Sequence, residues 1–133
     1  MKPGITQLCL PKQDLEANLQ YAKHTGYEAI ELVFSDTGEP SIDASAEELA
    51  AVKAACGRYG LEISSIIATR QDAGSMLSPD TAERNKRIAI LARGLEIAEG
   101  LDVDGMLLHP GALETGTSYT ETWKNFRDAM RSL

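Results

Sequence analysis

The sequence predicts an α/β fold in which four strand–helix units build one parallel sheet. Short apolar runs bounded by Pro or Gly alternate along the chain with segments whose apolar residues recur every three or four positions. Capping patterns open several of the helical segments. Strict alternation of strands and helices requires right-handed crossovers, which produce a parallel sheet. The 133 residues suffice for one domain, which we expect to span residues 1–133.

The first unit begins with residues 5–10, which predict a strand that Pro11 ends, since proline cannot donate to a ladder. Asp14 is a candidate N-cap for the following helix, and Gly26 is a candidate stop. The predicted buried stripe of this helix consists of Leu15, Leu19 and Ala22.

The second unit pairs a strand over residues 29–34 with a helix opened by Ser45 and Glu48, which fit a capping box. Gly60 closes this helix, and residues 61–68 predict the third strand. The predicted stripe of the helix consists of Leu49, Val52, Cys56 and Tyr59.

The third and fourth helices carry similar start signals. Ser78 is a candidate N-cap with Pro79 at the first helical position, and Gly100 ends the third helix. Ser118 and Glu121 fit a second capping box. The predicted core stripes are Ile88, Leu91, Leu95 and Ala98 in the third helix, and Trp123, Phe126, Met130 and Leu133 in the fourth.

Residues 104–111 contain the best functional candidate. An apolar run leads into His109 and the chain then turns at Pro110 and Gly111, which predicts a strand buried on both faces. His109 is thereby placed at the carboxyl end of a parallel strand, the edge where ligands bind in such folds. The alternative is a structural histidine bonded to a loop carbonyl.

Glu31 is the other candidate, because it is a carboxylate within an apolar strand. Burial of a carboxylate is costly without a partner, so Glu31 should pair with a cation or lie near the ligand-binding edge. Arg84 and Arg70 are possible partners, and a purely structural ion pair is the alternative reading. Glu83 and Arg87 are spaced as an ordinary i,i+4 pair.

Composition restricts the function classes. The net charge of −7 argues against nucleic acid and anionic membranes as partners. No run reaches the roughly 18 apolar residues of a membrane span, and no signal core follows the first residues, so we expect a cytoplasmic protein. Cys9 and Cys56 are expected to be buried structural thiols, and His24 to be solvated.

Several segments in register resemble one family. Residues 26–32 and 60–65 are similar to the second and third strands of the xylose-isomerase-like TIM barrels, the sugar phosphate isomerase/epimerase group. Residues 77–98 resemble the third helix of that family, residues 106–111 its fourth strand and residues 119–123 its fourth helix.

The resemblance implies half of a (β/α)8 barrel, since this chain supplies the first four of eight units. In the family, carboxylates and a histidine on strands five to eight bind a divalent metal (Mn, Mg, Co or Zn). We therefore expect no metal bound by this chain alone, no catalytic or metal-binding residue within it, and no activity without the other half. His109 and Glu31 would bind and orient the sugar or sugar phosphate.

Two other interpretations stay open. The chain could be a non-catalytic assembly unit that forms homo-oligomers through the exposed edges of its first and fourth strands. It could also be a self-sufficient doubly wound domain of the flavodoxin type.

Overall fold

The computed structural model describes residues 1–11, 13–68 and 74–133. Helices and strands alternate along this part of the chain as predicted. Their bounds are β1 Gly4–Thr6, a 3₁₀ turn Gln7–Cys9, α1 Leu15–His24, β2 Ala29–Phe34, α2 Ala46–Arg58, β3 Glu62–Ala68, α3 Thr81–Leu101, β4 Met106–Leu107 and α4 Tyr119–Met130.

The four strands form one parallel sheet in the order β1-β2-β3-β4. This confirms the predicted α/β class with four βα units. The sequential order also shows that the flavodoxin-type alternative is wrong, because a doubly wound sheet of that type places its first strand between the second and the third. Among the described residues, β1 and β4 each have a strand neighbour on one side only.

Two compact units divide the chain. One comprises Met1–Thr69 and Gly94–Leu107 and contains the sheet; the other comprises Arg70–Arg93 and Leu108–Leu133. We call them the sheet unit and the α4 unit. No helix within the described ranges is both long and apolar enough to cross a bilayer.

The core of the sheet unit lies on one face of β2. Ile30, Leu32 and Phe34 alternate along this strand and are fully buried, together with Leu19 of α1 and Ile66 of β3. Glu31 and Val33 point to the opposite face, which is only half-buried. The strand is therefore covered by helices on one face and more open on the other.

The predicted starts of α1 and α2 are confirmed. The Asp14 carboxylate accepts from the Ala17 amide at 2.8 Å. Ser45 and Glu48 form the capping box, in which the Glu48 carboxylate accepts from the Ser45 amide at 2.7 Å. That hydrogen bond lowers the pKa of Glu48. These caps satisfy amides that the helical ladder leaves free.

The first strand is shorter than predicted, because the chain turns into the 3₁₀ segment after Thr6 rather than continuing to Leu10. The Gln7 side-chain oxygen accepts from the Val33 amide at 2.8 Å, so a side chain replaces the strand backbone as a partner of β2. Cys9 lies in this turn and is exposed, contrary to the predicted buried thiol.

The third helix begins at Thr81, not at Pro79. The Ser78 hydroxyl accepts a hydrogen bond from the Asp80 amide at 3.1 Å, and the Asp80 carboxylate accepts one from the Ala82 amide at 2.8 Å. These tight turns occupy the residues before Thr81, so the helix begins later than predicted. The predicted stripe is also wrong at Leu95, which is 44% exposed. The buried residues are Arg87, Ile90, Leu91, Gly94, Ile97, Ala98 and Leu101.

The fourth strand is reduced to two residues, and the prediction of a strand buried on both faces is wrong. Met106 is half-buried and Leu107 is 52% exposed. The sheet ends at β4 in the described chain, so no further strand covers Leu107 there.

The predicted stripe of α4 is largely on the outside. Trp123 is 52% and Met130 42% exposed, whereas Thr122 and Ala129, seven residues apart, are buried. The Trp123 and Phe126 rings lie 5.6 Å apart and contact each other. Ser118 precedes the helix as predicted, but its side chain makes no capping hydrogen bond.

The two cysteines should differ in reactivity. Burial raises the pKa of the Cys56 thiol to about 11, whereas Cys9 is exposed. We expect a disulfide reagent at pH 8 to modify one thiol quickly in the folded chain and two in denaturant, with Cys9→Ser removing the fast one. The Cys56 thiol loses its proton at a lower pH in the unfolded chain than in the folded chain, so the free energy of unfolding should fall as the pH rises from 9 to 11. Cys56→Ala should remove that part of the pH dependence. Rapid modification of both thiols in the folded chain would contradict this description.

Candidate functional site

Glu31 lies in the third position of β2, on the half-buried face of the sheet unit. Ser65 is its register partner on β3, and the Ser65 hydroxyl donates to the Glu31 carboxylate at 2.9 Å. The pairing shifts by one residue between Ile30 and Glu31, which aligns Glu31 with Ser65 rather than with Ser64. Glu31 thus retains hydrogen-bonding capacity that a single hydroxyl does not use.

Within residues 1–11, 13–68 and 74–133, the hydrogen bond to the Glu31 carboxylate comes from this neutral hydroxyl and not from the expected cation. Arg84 donates to the carbonyls of Ser78 and Pro79 at 2.7 and 2.8 Å, so its guanidinium fixes the turn before α3. Arg70 lies outside the described residues. Glu83 also pairs differently from the prediction, with Lys86 at 2.6 Å.

A groove of about 1000 Å³ opens beside the carboxyl ends of β1 and β2. Gln7, Val33 and Ser35 line it next to the strands, and Asn18 lines it from α1. Asn18 is only 3% exposed, and its side-chain oxygen has no hydrogen-bond partner among the described residues. A buried amide oxygen of this kind favours a ligand that brings a hydroxyl donor. Sequence reasoning missed Asn18, because a polar residue within a helix usually lies on the solvated face.

His109 belongs to the α4 unit and follows β4 in the chain by two residues. The imidazole is half-buried, and its Nδ1 is buried without a hydrogen-bond partner among the described residues. The part of the chain that the structure describes therefore supplies no loop carbonyl to Nδ1, as the structural alternative would require. An unpaired ring nitrogen can accept from a ligand hydroxyl or donate to a ligand oxygen, depending on the tautomer.

The backbone carbonyls of His109 and Pro110 accept hydrogen bonds from a charged side chain and from a backbone amide. Arg87 of α3 is fully buried, and its Nε and Nη2 donate to the His109 carbonyl at 3.0 and 2.7 Å. The Met76 amide donates to the next carbonyl, that of Pro110, at 2.7 Å. Burial lowers the pKa of Arg87, and a guanidinium stays charged at any physiological pH.

No group of three His, Cys, Asp or Glu side chains comes together within residues 1–11, 13–68 and 74–133. A divalent cation normally needs three or more such ligands. The described residues therefore do not fit the metal that the family resemblance implies, and we assign no step to it.

Comparison with known proteins identifies the family. Residues 19–133 match the family described as xylose isomerase-like TIM barrel. The chain belongs to this family. No curated protein sequence matches the chain.

Solved structures of sugar epimerases share the fold. A D-tagatose 3-epimerase-like protein superposes with a TM-score of 0.77 at 21% identity, covering 99% of this chain and 47% of its own. D-psicose 3-epimerase from Clostridium cellulolyticum H10, solved with D-tagatose, gives 0.75 at 18% identity, with coverage of 99% and 47%.

A third neighbour is 3-keto-D-glucoside 4-epimerase from E. coli, which gives a TM-score of 0.73 at 18% identity and covers 99% of this chain and 50% of its own. The chain thus spans about half the length of the epimerases that it matches. Its four βα units correspond to half of a TIM barrel, as the resemblance implied.

Proposed function

We propose that this chain supplies one half of a sugar or sugar-phosphate isomerase/epimerase barrel and contributes substrate-orienting groups, while the divalent metal and its ligands belong to the other half. The observation that carries the proposal is the four-stranded parallel sheet, which superposes on about half of an epimerase chain. In the described part of the protein, β1 and β4 each have a strand neighbour on one side only.

The reaction class follows from the family. Ketose isomerisation and epimerisation move a proton next to a carbonyl, and bound metal supplies electrostatic stabilisation of the oxygens. Glu31 has unused acceptor capacity beyond the Ser65 hydroxyl and would accept sugar hydroxyls. His109, in the α4 unit, would offer to a substrate oxygen its Nδ1, which has no hydrogen-bond partner among the described residues. Neither is assigned the proton transfer itself.

A fusion protein tests this assignment. This chain is joined to the four carboxyl-terminal βα units of the D-tagatose 3-epimerase-like protein, and epimerisation of D-fructose and D-tagatose is assayed with Mn²⁺. We expect turnover by the fusion and none by the 133-residue chain alone, because no group of metal-ligating side chains comes together among the residues that the structure describes. Turnover by the isolated chain would refute the proposal.

Glu31→Gln in the fusion should lower kcat/KM by roughly 10- to 100-fold, since a charge-assisted hydrogen bond contributes about 1.5–3 kcal/mol. Glu28→Gln is the matched control, because Glu28 is exposed one residue before β2. If Glu31→Gln changes only thermal stability and leaves kcat/KM at the control value, Glu31 is structural and not substrate-orienting.

Homo-oligomerisation is a second candidate function, favoured by the exposed Leu107 at the β4 edge. Two copies could complete each other's sheets through these edges. Light scattering after size exclusion should then show a dimer that Leu107→Lys converts to a monomer, whereas Leu95→Lys on α3 does not. A wild-type monomer at tens of micromolar would exclude this function.

A further inference from the structure

The backbone of His109 is held in an unusual way for a loop residue. Both Nε and Nη2 of Arg87 donate to the same carbonyl oxygen, that of His109, at 3.0 and 2.7 Å. Arg87 is fully buried, although arginine is among the residues least often found inside proteins. Burying a guanidinium costs free energy unless hydrogen bonds compensate for the lost water, so the contacts of Arg87 should have a role beyond packing.

The next two residues are fixed as well. The Met76 amide donates to the Pro110 carbonyl at 2.7 Å, and the Ser75 hydroxyl approaches the same carbonyl at 3.4 Å. Gly111 has a φ of +115°, and a Cβ there would overlap the Ser75 side chain. Residues 109–111 therefore lie tightly against residues 75–76 and α3 within the α4 unit.

These contacts determine where the imidazole points. The fixed carbonyl of His109 sets its ψ angle, and the ring of Pro110 fixes the following φ. With the carbonyl side of the residue held, the direction of the Cα–Cβ bond is restrained from that side. Nδ1 of the ring is buried.

We propose that Arg87 is a positioning residue for His109: the guanidinium binds the His109 carbonyl and so directs the imidazole to its place. Arg87 does not itself touch the substrate. The structural part of the proposal concerns Arg87 and His109 alone. Only its consequence for catalysis rests on the proposed function.

Imidazole NMR of the full 133-residue chain tests the structural part. The chain has two histidines, and exposed His24 serves as an internal reference. We expect distinct ring signals for His109 in the wild type and loss of that difference in Arg87→Met, with His109 shifting toward His24. Arg87→Lys keeps a cation with a single donor group and should restore part of the difference.

Arg84→Met is the matched control. Arg84 lies almost one turn earlier in α3 and binds the carbonyls of Ser78 and Pro79, not that of His109. It should lower stability without moving the His109 signals. Unchanged His109 signals in folded Arg87→Met, or an equal loss in Arg84→Met, would overturn the proposal. Should Arg87→Met fail to fold, unchanged signals in Arg87→Lys would overturn it as well.

Kinetics of the fusion protein test the consequence. Misplacing an orienting group by about 1 Å costs up to about 10²-fold in rate, so Arg87→Met should lower kcat/KM by about that factor and Arg87→Lys by less. Equal kcat/KM in wild type and Arg87→Met, despite displaced His109 signals, would refute a catalytic consequence. If the fusion turns over no sugar while the signals move as expected, the proposed function fails and the positioning role stands.

Discussion

Phe34→Ala is expected to destabilise the chain by about 3–5 kcal/mol, the usual cost of emptying a buried phenylalanine site. Phe34 is fully buried at the end of β2, and its ring lies directly beneath Gly94 of α3. Removing it leaves a cavity where the helix packs on the sheet. Urea denaturation followed by circular dichroism measures the loss.

Phe126 provides the matched control, since the chain has two phenylalanines. Phe126 is half-buried on α4 and contacts Trp123. Phe126→Ala should cost about 1 kcal/mol, within the range of an aromatic pair. Equal losses for the two variants would mean that the core does not lie on the Phe34 face of the sheet.

Gly94→Ala and Gly57→Ala should have opposite effects on the free energy of unfolding. A Cβ on Gly94 would lie 2.5 Å from the Met106 sulfur and 2.7 Å from the Phe34 ring, so overpacking should destabilise by about 1–3 kcal/mol. A Cβ on Gly57 in α2 meets nothing within 4 Å, so Gly57→Ala should stabilise by about 0.5–1 kcal/mol.

The same denaturation experiment measures both glycine variants. The pair separates helix propensity, which favours alanine at both positions, from close packing, which opposes it only at Gly94. Stabilisation by Gly94→Ala would show that α3 does not approach β2 and β4 as closely as described.

Local signals in the sequence predicted much of this fold. Asp14 and the Ser45–Glu48 box begin their helices as expected, because capping depends on residues three positions apart. Residues 29–34 form β2 as predicted, since a run that is apolar except for Glu31 and is flanked by turns suits a parallel strand.

The errors have a common cause, which is that tertiary contacts decide which face of an element is buried. Trp123 and Met130 have helical spacing, yet the buried side of α4 carries Thr122 and Ala129. In α3, Arg87 takes a position in the buried stripe that an arginine would not be expected to hold. Spacing gives the period of a helix but not the partner of each face.

Sequence patterns single out two candidate residues but not their hydrogen-bond partners. His109 stands out because it follows an apolar run, and Glu31 because it interrupts one. Their partners could not be read from the sequence. Ser65 meets Glu31 through a register shift, and Arg87 reaches the His109 backbone from 22 residues away. Such pairings depend on strand register and loop closure, which no local pattern encodes.

Solvent deuterium incorporation is the most direct test of the central proposal, which is that this half-barrel would orient a sugar and would need the other half to move its proton. D-fructose is incubated in D₂O with Mn²⁺ and either the 133-residue chain or its fusion to four further βα units, and the C3 proton is followed by NMR. We expect loss of the C3 proton signal with the fusion and none above buffer with the chain alone. Exchange catalysed by the chain alone would contradict the proposal.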